Sequence, residues 1–336
     1  MSPLPTPGEL RAAMPLSAGA ELAVAAGRKA VEASLLGADP RPLIIVGPCS
    51  VHDRAETLDY GRRLAEAAAA HAAELLVVMR CYVEKSRSGE GWRGMARDPA
   101  LDGTGRAAEG VRAARALLVE LAERSPLPLA MELAGPFLWP YFIDALSWAS
   151  VGARGVESPA LREAAAALPC PCGFKNGRDG RIEAAVAAAT VASKPGTSLA
   201  VGDDGRLSEV TAAGNPLPHI ILRGADGKPN WRRAPEALRR LAAAGLKPAL
   251  IVDASHGNSG KDPTRQASAA LGAMRLRRRI PGIRGLMIES YLRTGCQAAG
   301  PRAGLQPGLS ITDPCLGWEE TEELLAALAA AARGNR

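Results

Sequence analysis

Eight short apolar runs, each leading into a charged residue and then a helical stretch, constrain this chain more than any other feature. They are Leu43–Val46, Leu75–Met79, Leu127–Met131, Val151–Val156, Cys170–Phe174, His219–Leu222, Ala249–Val252 and Gly285–Ile288. Apolar runs without alternation read as strands buried on both faces, the habit of parallel sheets. Helical periodicity fills the gaps at Arg54–Ala73, Gly110–Arg124, Pro140–Ala149, Leu161–Ala167, Arg181–Ala192, Arg233–Ala244 and Pro263–Arg279, and a last helix covers Glu319–Ala332. Eight strand–helix units in 336 residues predict an α/β fold, a (β/α)8 TIM barrel. A doubly wound open sheet is the alternative; the count and the length favour closure.

Two stretches fall outside the alternation. Residues 1–40 form an N-terminal extension, with four prolines in an irregular arm over 1–16 and a helix from Ser17 ending at Gly37. Its expected role is assembly or regulation, and residues 41–336 are then the barrel. Within that barrel, residues 194–216 hold two β-like runs about Asp203-Asp204-Gly205, which predicts an inserted β-hairpin.

Composition enters chiefly to exclude. The 41 basic residues are dispersed and the net charge is only +6, so no basic stripe for nucleic acid appears. No apolar stretch is long enough to span a membrane, and the N-terminus has no signal-peptide pattern. The six cysteines (49, 81, 170, 172, 296, 315) form no zinc-finger spacing, and a cytoplasmic chain with reduced thiols is expected.

Barrel active sites gather at the carboxyl ends of the strands, so the residues there carry the functional argument. In order these ends present Cys49, Arg80 with Lys85 and Arg87, Glu132, Arg154, Lys175, Arg223, Asp253 with His256, and Glu289. The string GNSGK at 257–261 invites a phosphate-loop reading, but Ser255 and Asp262 stand where glycine and Ser or Thr are required. The basic set suits a small phosphorylated anion. Cys49, His256 and Glu289 come from strands that become neighbours on closure, and Asp313 follows in the next loop. Soft and hard donors together point to one catalytic divalent transition metal, Mn2+, Fe2+, Co2+ or Zn2+, over a structural zinc; plain burial of Cys49 is the competing reading.

The strings GPCSVHD (47–53), RCYVEKSR (80–87), GWRG (91–94), GARGVES (152–158), GFKNGRDG (173–180), HIILRG (219–224), DASHGNSGK (253–261), MIES (287–290) and SITDPCLGWE (310–319) resemble the type I 3-deoxy-D-arabino-heptulosonate 7-phosphate (DAHP) synthases. The resemblance covers roughly residues 40–330, in order. It implies a homodimer or homotetramer, with Cys49, His256, Glu289 and Asp313 on the metal and Arg80, Lys85, Arg154, Lys175 and Arg223 on phosphoenolpyruvate. The aldose phosphate, erythrose 4-phosphate in that family, would meet Lys85, Ser86, Arg87, Ser88 and Asp313. The implied reaction is a metal-dependent aldol-type condensation at the head of aromatic amino acid biosynthesis, the shikimate pathway. Lys85 is the candidate proton donor to the new alkoxide and Glu132 the candidate for handling the attacking water.

Departures cluster on the aldehyde side. The family motif KPRT reads KSRS here, with Ser86 for proline and Ser88 for threonine. Residues 102–105 read DGTG, AGPFLWPY follows Glu132, and GARTTES has become GARGVES. A different aldose phosphate in a specialised pathway is therefore an alternative, and a catalytically silent regulatory paralogue a remote one.

Overall fold

The structure is a computed structural model describing residues 3–333. Eight parallel strands close into a barrel: β1 (Leu43–Gly47), β2 (Leu76–Arg80), β3 (Leu129–Glu132), β4 (Trp148–Val151), β5 (Cys172–Lys175), β8 (His219–Leu222), β9 (Leu250–Asp253) and β10 (Ile283–Glu289). The seam is β1 on β10, in register from Leu43 opposite Gly285 to Gly47 opposite Glu289. Between β5 and β8 the antiparallel hairpin β6 (Gly196–Val201) and β7 (Leu207–Ala212) stands where the turn residues place it.

Alternate residues of a strand face opposite ways, and this parity organises the molecule. Leu43, Ile45, Leu76, Val78, Ala130, Trp148, Ile221, Ile251 and Met287 pack as one cluster inside the barrel. Val31 and Leu35 of the N-terminal helix α2 (Ala18–Leu36) join it, so this helix stoppers the amino ends of the strands. The other parity, including Ile44, Val46, Val77 and Met79, belongs to the larger core under the outer helices. Those are α3 (Arg54–Ala70), α4 (Ala107–Arg124), α5 (Pro159–Ala166), α6 (Glu183–Ala192), α7 (Ala234–Ala243), α8 (Gln266–Arg277) and α9 (Trp318–Arg333). One further inward step along the strands reaches Arg80, Glu132, Lys175, Arg223, Asp253 and Glu289, all at the carboxyl end.

Three expectations are corrected. The fourth strand lies at Trp148–Val151 instead of Val151–Val156, and no helix occupies Pro140–Ala149. That stretch makes two short 3-10 turns, Trp139–Tyr141 and Ile143–Ala145, despite its helix-like apolar spacing. The guanidinium of Arg28 takes the carbonyls of Ile143 and Leu146, while Arg115 grips the Asp144 carboxylate. Next, the arm over 1–16 is not wholly irregular: α1 spans Pro7–Ala13, started by a capping box between Thr6 and Glu9 with Pro7 at its first turn. Its Gly8 N–H donates to Asp203 O in the hairpin turn at 3.0 Å. Beyond these, the loop after β10 contains a small parallel pair, β11 (Arg293–Cys296) and β12 (Leu309–Ser310), which positions the segment carrying Asp313.

Candidate active site

Four donors converge at the carboxyl end of the seam. Cys49 follows β1, Glu289 ends β10, and Asp313 lies beyond β12; one ligand atom from each falls within 4.8 Å of the others. His256 comes from the turn after β9, its Nε2 3.9 Å from Glu289 Oε1 and 3.7 Å from Asp313 Oδ2. Its backbone is left-handed (φ 53°), a cost of about 1–3 kcal/mol that the surrounding structure must impose. Imidazole Nδ1 stands 3.0 Å from Asp253 Oδ2, which leaves Nε2 turned toward the other donors.

The electrostatics of this cluster fit a cation. Burial, then the charge of Glu289, pushes the Cys49 thiol up to about 11, so a thiolate there needs a cation beside it. Ammonium groups already serve the donors: Lys85 Nζ is 3.4 Å from Cys49 Sγ, and Lys261 Nζ is 3.0 Å from Asp313 Oδ1. Burial alone would raise the Asp313 carboxyl, but His256, Lys85 and Lys261 outweigh it and hold it well below the usual carboxylate range. One thiol, one imidazole nitrogen and two carboxylates at these spacings suit a divalent transition ion.

Above the donors opens a cavity lined by Lys85, Ser86, Arg87, Glu132, Arg154, Lys175, Arg178, Arg223, Asp226, His256, Lys261 and Asp313. Seven lysine and arginine side chains face three carboxylates, which makes the cavity a receptor for multiply charged anions. Glu132 is buried and accepts from Ser86 Oγ at 2.7 Å. Desolvation opposes its charge, yet Lys85 and Lys175 keep its carboxyl below the ordinary value. Gly152 gives it room, since a Cβ there would lie 2.6 Å from Glu132 Oε1. For Lys85, burial would lower the ammonium, but Cys49, Glu132 and Glu289 raise it above its ordinary value. Cys49 and Glu132 surround this lysine with acceptors, which keeps its ammonium protonated.

Most residues singled out in the sequence meet here, with two exceptions. Arg80 lies beneath the cavity, fully buried, donating to Glu289 Oε1 at 3.0 Å with its guanidinium 4.1 Å from the Tyr82 ring centroid. Ser88 is exposed and does not line the cavity. Arg154 lines it, though from the loop beyond β4 and not from a strand. Arg178, Asp226 and Lys261 were missed. Lys261 was set aside with the failed phosphate loop, and Arg178 follows Lys175 by three positions in the same loop.

A closed parallel barrel with a cationic mouth and a thiol-containing donor set defines a class: barrel enzymes that handle small phosphorylated anions. The comparisons narrow it. The DAHP synthetase I family model matches residues 22–326, and the chain belongs to that family. It is 41% identical over 326 residues to the Tyr-sensitive phospho-2-dehydro-3-deoxyheptonate aldolase of Escherichia coli, covering 96% of this chain and 91% of the relative. The Trp-sensitive phospho-2-dehydro-3-deoxyheptonate aldolase of Salmonella typhi is 40% identical, with 98% and 94% covered. The solved structure of phospho-2-dehydro-3-deoxyheptonate aldolase from Francisella tularensis superposes with a TM-score of 0.96 at 34% identity, over 100% of this chain and 98% of that one. The chain is thus an enzyme of the DAHP synthase family, and no described helix is long and apolar enough to cross a membrane.

Proposed function

We propose that the chain condenses phosphoenolpyruvate with erythrose 4-phosphate, giving 3-deoxy-D-arabino-heptulosonate 7-phosphate and inorganic phosphate with the help of one divalent transition ion. The observation that carries this reading is the four-donor cluster of Cys49, His256, Glu289 and Asp313 at the floor of a cavity lined by seven cationic side chains. A divalent ion bound there supplies Lewis acidity toward an aldehyde carbonyl. Arg154, Lys175 and Arg223 would hold the phosphate and carboxylate of phosphoenolpyruvate, with Arg80 bracing Glu289 from below. Such positioning contributes up to ~7 kcal/mol or more of the barrier reduction. C3 of phosphoenolpyruvate attacks the aldehyde carbon, and the new alkoxide takes a proton from the ammonium of Lys85. Water adds at C2, oriented by the ionised Glu132, and phosphate leaves with cleavage of its C–O bond. Arg87, Ser86 and Asp313, which line the cavity, would meet the aldose phosphate.

The Ser86 hydroxyl favours a second reading. It stands where the family has proline and is bonded to Glu132, which changes the wall that an aldose would touch. Assays pairing phosphoenolpyruvate with erythrose 4-phosphate and with five-carbon aldose phosphates separate the two. Faster turnover of a five-carbon substrate would replace erythrose 4-phosphate; no phosphate release with any aldose would sink both readings. We further place the enzyme in the cytoplasm as a homodimer or homotetramer, with residues 1–40 as the assembly or regulatory element.

A further inference from the structure

The reaction outlined above gives no task to Asp253, although it is fully buried between the two halves of the site. Its Oδ1 accepts from Ser255, through the backbone N–H at 3.0 Å and through the hydroxyl. Its Oδ2 lies 2.9 Å from Lys175 Nζ and 3.0 Å from His256 Nδ1. Neither contact is an aligned hydrogen bond, so Oδ2 is shared between two donors, one of which, His256 Nδ1, also has the Ser255 hydroxyl at 3.0 Å. Lys175 lines the anion cavity; His256 turns its other nitrogen to the metal donors.

We propose that Asp253 couples the two halves, so that ion and phosphoenolpyruvate bind cooperatively through this shared oxygen. The inference rests on the metal and phosphoenolpyruvate sites proposed above. Charge placed on His256 Nε2 withdraws electron density from the ring and strengthens Nδ1–H as a donor. Asp253 then leans to the imidazole, as carboxylates behind metal-bound histidines do, and loosens its hold on Lys175. The ammonium is freed to face an anion in the cavity. An anion that takes up Lys175 in turn releases Oδ2 to His256, and linkage makes the two effects equal in free energy. Asp253 is therefore a positioning residue for both ligands.

The test uses full-length protein stripped with chelator, titrated with Co2+ by visible absorption and with phosphoenolpyruvate by calorimetry. In the wild type, Co2+ should tighten phosphoenolpyruvate binding by about fivefold or more. In D253N the Co2+ Kd should rise about tenfold or more. Its metal-free phosphoenolpyruvate Kd should not rise, since a negative charge has left the anion site, and the mutual enhancement should shrink. This crossed pattern separates coupling from mere damage, which weakens both ligands together. A smaller rise for Co2+, or parallel weakening of both, overturns the proposal. Should D253N fail to fold, K175M tests the other side: phosphoenolpyruvate weakens, Co2+ does not, and undiminished cooperativity overturns the coupling. Absence of any Co2+ binding by the wild type would overturn the metal site first, and the coupling with it.

Discussion

At the amino end of the barrel, Trp148, Ile251 and Met287 meet under the cover of Val31 and Leu35; two residues further along the same strands stand Ser150, Asp253 and Glu289. The two layers share backbone, parity and near-complete burial, and differ only in what they bury. Each large side chain of the lower layer stabilises the fold by about 1.5–3 kcal/mol. The upper layer buries Arg80 against Glu289 and Lys175 against Asp253, pairs whose desolvation offsets most of their attraction. The upper end also holds the left-handed backbone of His256 and Lys261. Stability therefore resides at one end and reactivity at the other, so the ends should fail separately.

The largest effect should come from the upper end. Stripping divalent ions, or replacing Cys49 by Ser, should cut turnover more than about 100-fold while the melting temperature of the metal-free protein stays nearly constant. Full activity in excess chelator would end the metal reading. At the lower end, Trp148→Ala should cost about 3–5 kcal/mol by denaturant titration, with the Co2+ affinity of the folded fraction unchanged. Equal loss of both would show that the two layers are not independent.

A pH experiment sharpens the same contrast. His219 is buried in the lower layer, accepting from Trp148 Nε1 at 3.2 Å and bonded to Leu217 O at 2.8 Å. Burial lowers its pKa from 6.5 to about 4. The unfolded chain thus binds the extra proton first, and the stabilisation is full above pH 6.5 and lost as pH falls toward 4. Metal-free protein should lose about 2 kcal/mol through this group between pH 7 and pH 5. His219→Asn should lose correspondingly less over that interval; parallel curves would mean that the imidazole does not titrate as described. The smallest effect is expected for Arg154→Ala, at the exposed rim. The KM for phosphoenolpyruvate should rise about 2-fold to 10-fold at constant stability, the net worth of a hydrogen bond made in contact with solvent. An unchanged KM removes Arg154 from the cradle.

The barrel was legible because its strands are buried on both sides, and unbroken apolar runs betray such strands without help from neighbours. Where local pattern and tertiary contacts disagreed, the contacts won. Pro140–Ala149 has helical spacing, but Arg28 and Arg115 engage its polar groups and Trp148 is drawn into the barrel. The first helix was signalled by Thr6-Pro7-Gly8-Glu9 and overlooked among the prolines. Every strand-end residue proposed for the site could be found by position, yet depth could not. Arg80 and Lys175 share the same parity, and only their partners decide that the first is held below the cavity while the second lines it. Lys261 reaches Asp313 from a turn with three left-handed residues, His256, Gly260 and Lys261, a geometry that the string GNSGK does not disclose.

The seam between β1 and β10 also carries a consequence in time. Cys49 and Asp313 lie 264 residues apart along the chain, on opposite sides of that closing joint. Pairings so distant in sequence form late, because the intervening loop must be closed before any contact rewards it. A ribosome must therefore release the chain as far as Asp313 before the donors can meet. Until then β1 presents an open edge to neighbouring chains. The donors become neighbours only once this joint has closed, so ion uptake there would follow folding, and a cell short of the ion would hold barrels that are closed but idle.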